Sequence, residues 1–285
     1  RGLLWRRAPL AGPARALAAE ARAQPRKPPP TRLLAPAAKA CAAGVGALSA
    51  VAVGQAVYLR CSYASPDDPE GPTDGQAGHG LAGAPVKVLF VGDSVAIGVG
   101  APRAAPLQAA FAARLSLLQG RPVAWRTVGG TGEDSRGLRA MLAHDVESES
   151  FDVAVVLCGI NDGKRLLEGR WPSVFREDLE ALCAGVRKHV PEGIICVPRI
   201  PGYMRAPQLQ LWPMKYFIRL FFGPYDAQKL CVATTMGIES PTPSLEQLPS
   251  SADTHLWACD GMHPSGEGYR VIGEWLATQC YEKKK

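Results

Sequence analysis

Apolar positions along the chain fall into two kinds of run. Four are short and nearly continuous: Val86–Val91, Val123–Val128, Phe151–Cys158 and Gly193–Pro198. Runs of that length, rich in Val and Ile, are how strands buried on both faces of a parallel sheet read. A fifth strand is predicted near Thr234–Ile238. The other runs have helical spacing. Leu107, Phe111, Leu115 and Leu118 place a helix over Pro106–Gln119, ended by Gly120. Further helices are predicted over Arg136–Leu142, over Leu179–His189, and after Pro264, where Val271, Ile272, Trp275 and Leu276 form one face. Strand and helix alternate, which predicts an α/β domain with a parallel sheet and right-handed crossovers. Residues 199–225 break the pattern, because Leu211, Trp212, Phe217, Leu220, Phe221 and Phe222 are too apolar for a surface loop. Two readings stand for them: a cover over the carboxyl end of the sheet, walling an acyl or alcohol pocket, or a helix packed on the sheet.

The first 85 residues do not belong to this alternation. Residues 1–39 hold nine basic residues and one acid, Glu20, while the whole chain of 285 residues carries a net charge of only +6. The rest therefore sums to −2, and nothing in it argues for nucleic acid. Residues 1–39 read as a basic, disordered targeting or cytosolic segment. Residues 40–59 are uncharged, small and apolar, and Arg60 closes them; their length suits one membrane span. A signal-anchor is one reading and an organellar targeting peptide is the other. The anchor reading puts the remaining chain in a lumen or outside the cell. Residues 60–85, dense in Pro, Gly, Asp and Ser, read as a flexible linker. The domain is expected over 86–280, with a basic tail over 281–285.

Candidate chemistry gathers at the predicted strand ends. The first strand stops at Gly92-Asp93-Ser94, which puts a hydroxyl just past its carboxyl end, where open α/β sheets bind ligands. Such a hydroxyl becomes a nucleophile if a base reaches it; taken alone, the tripeptide is a turn with a helix cap. The second strand runs into the glycine-dense Gly129-Gly130-Thr131-Gly132, whose backbone can approach a ligand closely. The third ends in Gly159-Ile160-Asn161-Asp162, where Asn161 can turn an amide into the site. Asp260 and His263 are three apart across a turn in Asp260-Gly261-Met262-His263-Pro264. That spacing can seat the carboxylate on Nδ1 and leave Nε2 to take a serine proton.

At these four stations, in order, the chain resembles the SGNH (GDSL) hydrolase family over residues 86–280. The resemblance implies a flavodoxin-like three-layer α/β/α sandwich and ester hydrolysis with no metal and no cofactor. It implies Ser94 as nucleophile, His263 as general base and then acid, and Asp260 as the residue that orients the imidazole. It also implies an oxyanion hole of the Ser94 N–H, the Gly132 N–H and the Asn161 side-chain amide. Thr127 and Val128 stand where the family often has an Asn before the first glycine. The expected substrate is a small-molecule or lipid acyl ester, with residues 40–59 as a membrane tether. A carbohydrate acetyl ester on the same site, or a non-catalytic tethered binding module, are the alternatives. No G-x-S-x-G elbow, dinucleotide or P-loop motif is present. Eight cysteines without C-x-x-C read mainly as small hydrophobes, and a lumenal domain would allow a Cys259–Cys280 bridge.

Overall fold

The computed structural model describes residues 31–199, 203–243, 247 and 249–283. The basic segment 1–30 lies outside them. The chain divides into two units, one up to Val45 and one from Gly46 on; of the first, the described part is the opening of helix α1 (Thr31–Ser62). α1 contains the predicted apolar segment and extends beyond it at both ends.

Strand β1 (Asp74–Ala77) comes next, inside the stretch expected to be a linker. It pairs antiparallel with the strand over Val123–Gly129, Asp74 opposite Arg126 and Ala77 opposite Val123. The segment is tied down elsewhere too, since Thr127 donates to the Thr73 carbonyl and Ala104 to that of Glu70. A flexible linker is therefore the wrong description of 70–77. Its turn-forming composition concealed a four-residue strand whose gain is backbone pairing, not side-chain burial.

The domain proper then runs β2 (Val86–Gly92), α2 (Ser94–Ile97), α3 (Pro106–Gln119), β3 (Val123–Gly129), α4 (Ser135–Asp145), β4 (Val153–Leu157), α5 (Ile160–Lys164), α6 (Pro172–His189), β5 (Ile194–Cys196), α7 (Met214–Met236) and α8 (Gly266–Glu282). Of the expected basic tail 281–285, Tyr281 and Glu282 belong to α8, and 284–285 lie outside the described residues. The sheet order is β1-β3-β2-β4-β5, parallel except for β1. The sheet is mixed, a correction to the all-parallel expectation, and the α/β/α sandwich holds. β2 is central, and only Lys87 in it is exposed. Its Leu89 and Val91 face a core shared with α4, α6 and α7, where Leu138, Leu179 and Tyr225 lie. Val88 and Phe90 face the other core, shared with α3 and α8. There Phe90 meets Phe111 edge-on, with ring centroids 5.1 Å apart, a favoured aromatic geometry.

The fifth strand predicted at Thr234–Ile238 is not one. α7 runs through Met236 and ends on Gly237 in the left-handed region. Only Glu239 bridges β5, at Cys196. Val232 and Ala233 are buried against the sheet as helix residues, so tertiary packing overrode the β-branched composition. Of residues 199–225, 200–202 lie outside the described residues, and 203–225 form two short 3-10 turns followed by the first half of α7. Cys259 is exposed, Cys280 is buried, and neither is bridged.

Connections reverse direction between β3 and β4, on either side of β2. The carboxyl end of β2 is therefore the switch point at which open α/β sheets hold ligands. Gly92 and Gly129 are partners in the β2–β3 ladder. A Cβ on Gly129 would stand 1.8 Å from the Gly92 carbonyl oxygen. Gly129→Ala is expected to lower stability by about 3 kcal/mol, a value typical of overpacking at a fixed backbone contact, read as a fall in the urea midpoint at unchanged slope.

Candidate active site

β2 ends one residue before Asp93, which caps the short helix α2 by accepting the Val95 N–H on Oδ1 at 3.0 Å. Ser94 is the first residue of that helix. The cap and the half-buried Ser94 hydroxyl are one arrangement, so Asp93-Ser94 is locally the turn and helix cap that the sequence allows. Asp93 is almost fully buried, and burial raises its carboxyl above the usual range. His263 and Asp260 sit on the loop before α8. Asp260 Oδ1 accepts the Met262 and His263 N–H groups at 3.0 and 3.1 Å, which shapes the turn. The Ala258 N–H donates to the His263 carbonyl at 2.9 Å and closes it. Gly100, at φ +91°, lets the chain after α2 pass this loop: a Cβ there would meet the Cβ atoms of Ala258 and His263 at 2.7 and 3.0 Å.

Ser94 Oγ lies 3.0 Å from His263 Nε2, and His263 Nδ1 lies 2.7 Å from Asp260 Oδ2. With the Nδ1 proton on Asp260, Nε2 is the acceptor and the serine O–H the donor. Asp260 is held down to about 2. Burial opposes this, but the His263 ring, the Met262 and His263 amides and the Tyr63 hydroxyl outweigh it. The carboxylate is therefore ionised wherever the domain is folded at moderate pH.

The other predicted donors are nearby in sequence order and differ in state. Gly132 adopts φ +79°, with open space where a side chain would be. Asn161, 7% exposed, sits at the start of α5. Its Nδ2 donates to the Glu133 carbonyl at 2.9 Å and, more weakly, to Asp93 Oδ2 at 3.4 Å. An anion arriving at Asn161 would take over the longer of these bonds.

Two residues had no sequence signal. Arg170 is buried beneath the loops and forms ion pairs with Asp134 Oδ2 (3.2 Å), Asp162 Oδ1 (2.7 Å) and Asp178 Oδ2. Asp162 also accepts from the Ser135 hydroxyl at 2.7 Å. Asp134 caps α4 through the Arg136 and Gly137 amides and pairs with Arg165, whose other nitrogen donates to the Gly132 carbonyl at 3.0 Å. Burial raises the Asp134 carboxyl, but the Gly137 amide, Arg165 and Arg170 bring it below the usual range. The second residue is Tyr63, one position past α1. Its hydroxyl donates to Asp260 Oδ2 at 2.9 Å and lies 3.3 Å from His263 Nδ1. Burial and the bond to Asp260 push the phenol up to about 12. Nothing around Tyr63 in the sequence has the periodicity or motif that would have marked it.

Fold and geometry together define a three-layer α/β/α hydrolase domain with a serine at the sheet's switch point. Residues 90–221 match the family model for the GDSL-like lipase/acylhydrolases, so the chain carries a GDSL-like lipase/acylhydrolase domain, an ester-hydrolase domain. The matched stretch contains Ser94, Gly132 and Asn161 and stops before Asp260 and His263, which the fold returns to it. Among solved structures, the chain is similar to a lipase/acylhydrolase from Enterococcus faecalis, at 18% identity and a TM-score of 0.52, covering 70% of this chain and 96% of that one. It is also similar to a catalytic mutant of an acetylxylan esterase from Geobacillus stearothermophilus, at 17% identity and a TM-score of 0.50, covering 70% and 96%. No curated protein sequence matches the chain.

Replacing Arg170 by Met should cost about 3–5 kcal/mol at neutral pH, because it leaves buried carboxylates without their cation. The deficit should shrink as pH falls and those carboxyls take up protons, measured by urea unfolding at pH 7 and pH 5. Asp260 tests the opposite sign. Its folded value of about 2 lies below the ordinary 3.8, so its contribution to stability is full above the ordinary value and is lost as pH falls through the folded one. Tyr63→Phe removes one donor to that carboxylate. The Asp260 carboxyl resonance should then titrate at higher pH by NMR, and acid unfolding should begin at higher pH.

Proposed function

We propose that this protein is a serine esterase that cleaves acyl esters through Ser94, His263 and Asp260. The reading rests on one observation: the unbroken pair of hydrogen bonds from Ser94 Oγ through the His263 ring to the Asp260 carboxylate. Ser94 Oγ attacks the ester carbonyl carbon as its proton passes to His263 Nε2. Asp260 stabilises the imidazolium without taking its proton. The tetrahedral oxyanion is met by the Ser94 and Gly132 N–H groups and by Asn161, whose bond to Asp93 is the one long enough to be exchanged. As the intermediate collapses, His263 returns the proton to the leaving alkoxide and an acyl-Ser94 ester remains. Water, deprotonated by His263, then releases the carboxylic acid and restores Ser94. The charge chemistry needs no group beyond these side chains.

Helix α1 is proposed as a membrane span that anchors the domain. Its Ala38–Ser62 portion is 25 residues long and holds an 18-residue window of mean hydropathy 1.7, of which only 6% is buried. A carbohydrate acetyl ester is the second reading of the substrate, and chain-length preference separates it from an acyl lipid. With p-nitrophenyl acetate and octanoate, Ser94→Ala should lose about a thousandfold or more in kcat, together with labelling by a fluorophosphonate. Asn161→Ala should lose about 10²–10³ in kcat as an oxyanion donor and keep the label. Retained turnover in Ser94→Ala would remove the nucleophile from this account.

A further inference from the structure

Helix α1 does more than approach the domain. Gln55 Nε2 donates to the Trp212 carbonyl at 2.9 Å, and the Met214 N–H donates back to Gln55 Oε1 at 3.3 Å. These bonds fasten α1 beside the start of α7. Between the two helices lies an apolar groove of about 940 Å³, walled by Ala52, Ala56 and Leu59 on one side and by Met214, Phe217 and Phe221 on the other. Pockets for small ligands hold roughly 300–1,000 Å³. The small side chains of Ala52 and Ala56 are what leave the space open.

The inner end of the groove lies beside the Asp260–His263 turn. Tyr63 and Met262 also line it; Tyr63 is bonded to Asp260, and Met262 immediately precedes His263. Its outer rim is exposed and apolar: Leu167 is 97% accessible, Leu220 75% and Trp212 62%. The α1 face beside it, with Val53 and Val57, is exposed as well. Lys215, Arg219 and Arg60 stand near this rim, and the first three turns of α7 contain no acid. Aromatic and basic residues bordering an apolar surface are the pattern of a membrane interface, where the cations meet lipid phosphates.

Resting on the esterase reading above, we propose that this groove is the acyl-chain site and that its ligand is a lipid ester resident in the bilayer. The lipid enters sideways between α1 and α7 from the membrane that holds α1. Its acyl chain lies along Phe217 and Phe221, and its ester carbonyl comes to Ser94. α1 is then a wall of the substrate site as well as an anchor, and the loop of Asp260 and His263 is linked to it through Tyr63.

The test uses the full chain in phosphatidylcholine vesicles, with 4-methylumbelliferyl palmitate dissolved in the same bilayer and 4-methylumbelliferyl acetate in the buffer. Ala56→Trp fills the groove from the exposed side of α1. It should lower the palmitate-to-acetate ratio of kcat/KM by about tenfold or more, as expected when a chain-binding pocket is occluded. Leu220→Asp, at the rim and free of steric demand, should lower the same ratio. Brominated phosphatidylcholine should quench the part of the fluorescence that Trp212→Phe removes. An unmoved ratio in both variants, or no quenching of Trp212, overturns the proposal. Acetate turnover in the wild type without any on palmitate also overturns it, and leaves Ser94 as an esterase nucleophile. Loss of both activities together with Ser94 labelling overturns the esterase reading itself, and with it this one.

Discussion

Arg170 carries one positive charge into the place where Asp134, Asp162 and Asp178 converge. Removing so many charges from water is costly unless they neutralise one another at short range. That constraint links three loops. Asp134 caps α4 and, through Arg165, fixes the carbonyl of Gly132. Asp162 follows Asn161 directly on α5, so the orientation of the amide depends on the same cation. Asp178 draws in α6, the helix that backs this half of the sheet. A side chain at Gly132 would point into open space, so this loop is held through its backbone: Arg165 donates to the Gly132 carbonyl and Asn161 to that of Glu133. On the proposed reading the oxyanion donors are therefore positioned from beneath, by the charges that fix Arg165 and Asp134.

The other half of the site is built on a different principle. Ser94 and the Asp260–His263 turn lie on opposite ends of the chain, 169 residues apart, and are joined by close backbone packing at Gly100 rather than by ions. Each turn is locally self-sufficient. Asp93 caps its own helix, and Asp260 satisfies two amides of its own turn with one oxygen while the other faces the imidazole. Asp260 therefore holds its own turn and faces the imidazole at once, so the turn and the His263 contact cannot be changed separately.

This division explains what could be read from the sequence. β2, β3, β4 and β5 declared themselves because burial on both faces demands apolar runs, as in Val88-Leu89-Phe90-Val91. The turns at Ser94 and Asn161 declared themselves because each places its polar residue next to a strand end, and the turn at His263 because Asp260 lies three residues before it. β1 did not, since Asp74-Gly75-Gln76-Ala77 earns its place through backbone bonds to an edge and carries no pattern. The stretch Thr234–Met236 misled because β-branched residues are compatible with a helix once Val232 and Ala233 are buried by the sheet. Arg170 and Tyr63 were illegible for a shared reason. A lone arginine after Gly169, and a lone tyrosine in a Ser-rich stretch, acquire meaning only from partners brought in from far along the chain.

Tyr63 also changes what the amino-terminal helix means. An anchor needs only length and hydropathy, and a helix doing nothing else has no reason to end on a hydroxyl bonded to the carboxylate behind the histidine. The Tyr63 bond to Asp260 is 2.9 Å long, and burial together with that bond raises the phenol to about 12, so at neutral pH it is the donor. Any displacement of α1 relative to α7 therefore acts directly on the charge that orients the imidazole. The two Gln55 bonds to the α7 entrance resist that displacement, while the apolar groove beside them gains most by being filled. On the proposed reading, the helix that walls the groove is thus the one joined through Tyr63 to the carboxylate behind His263.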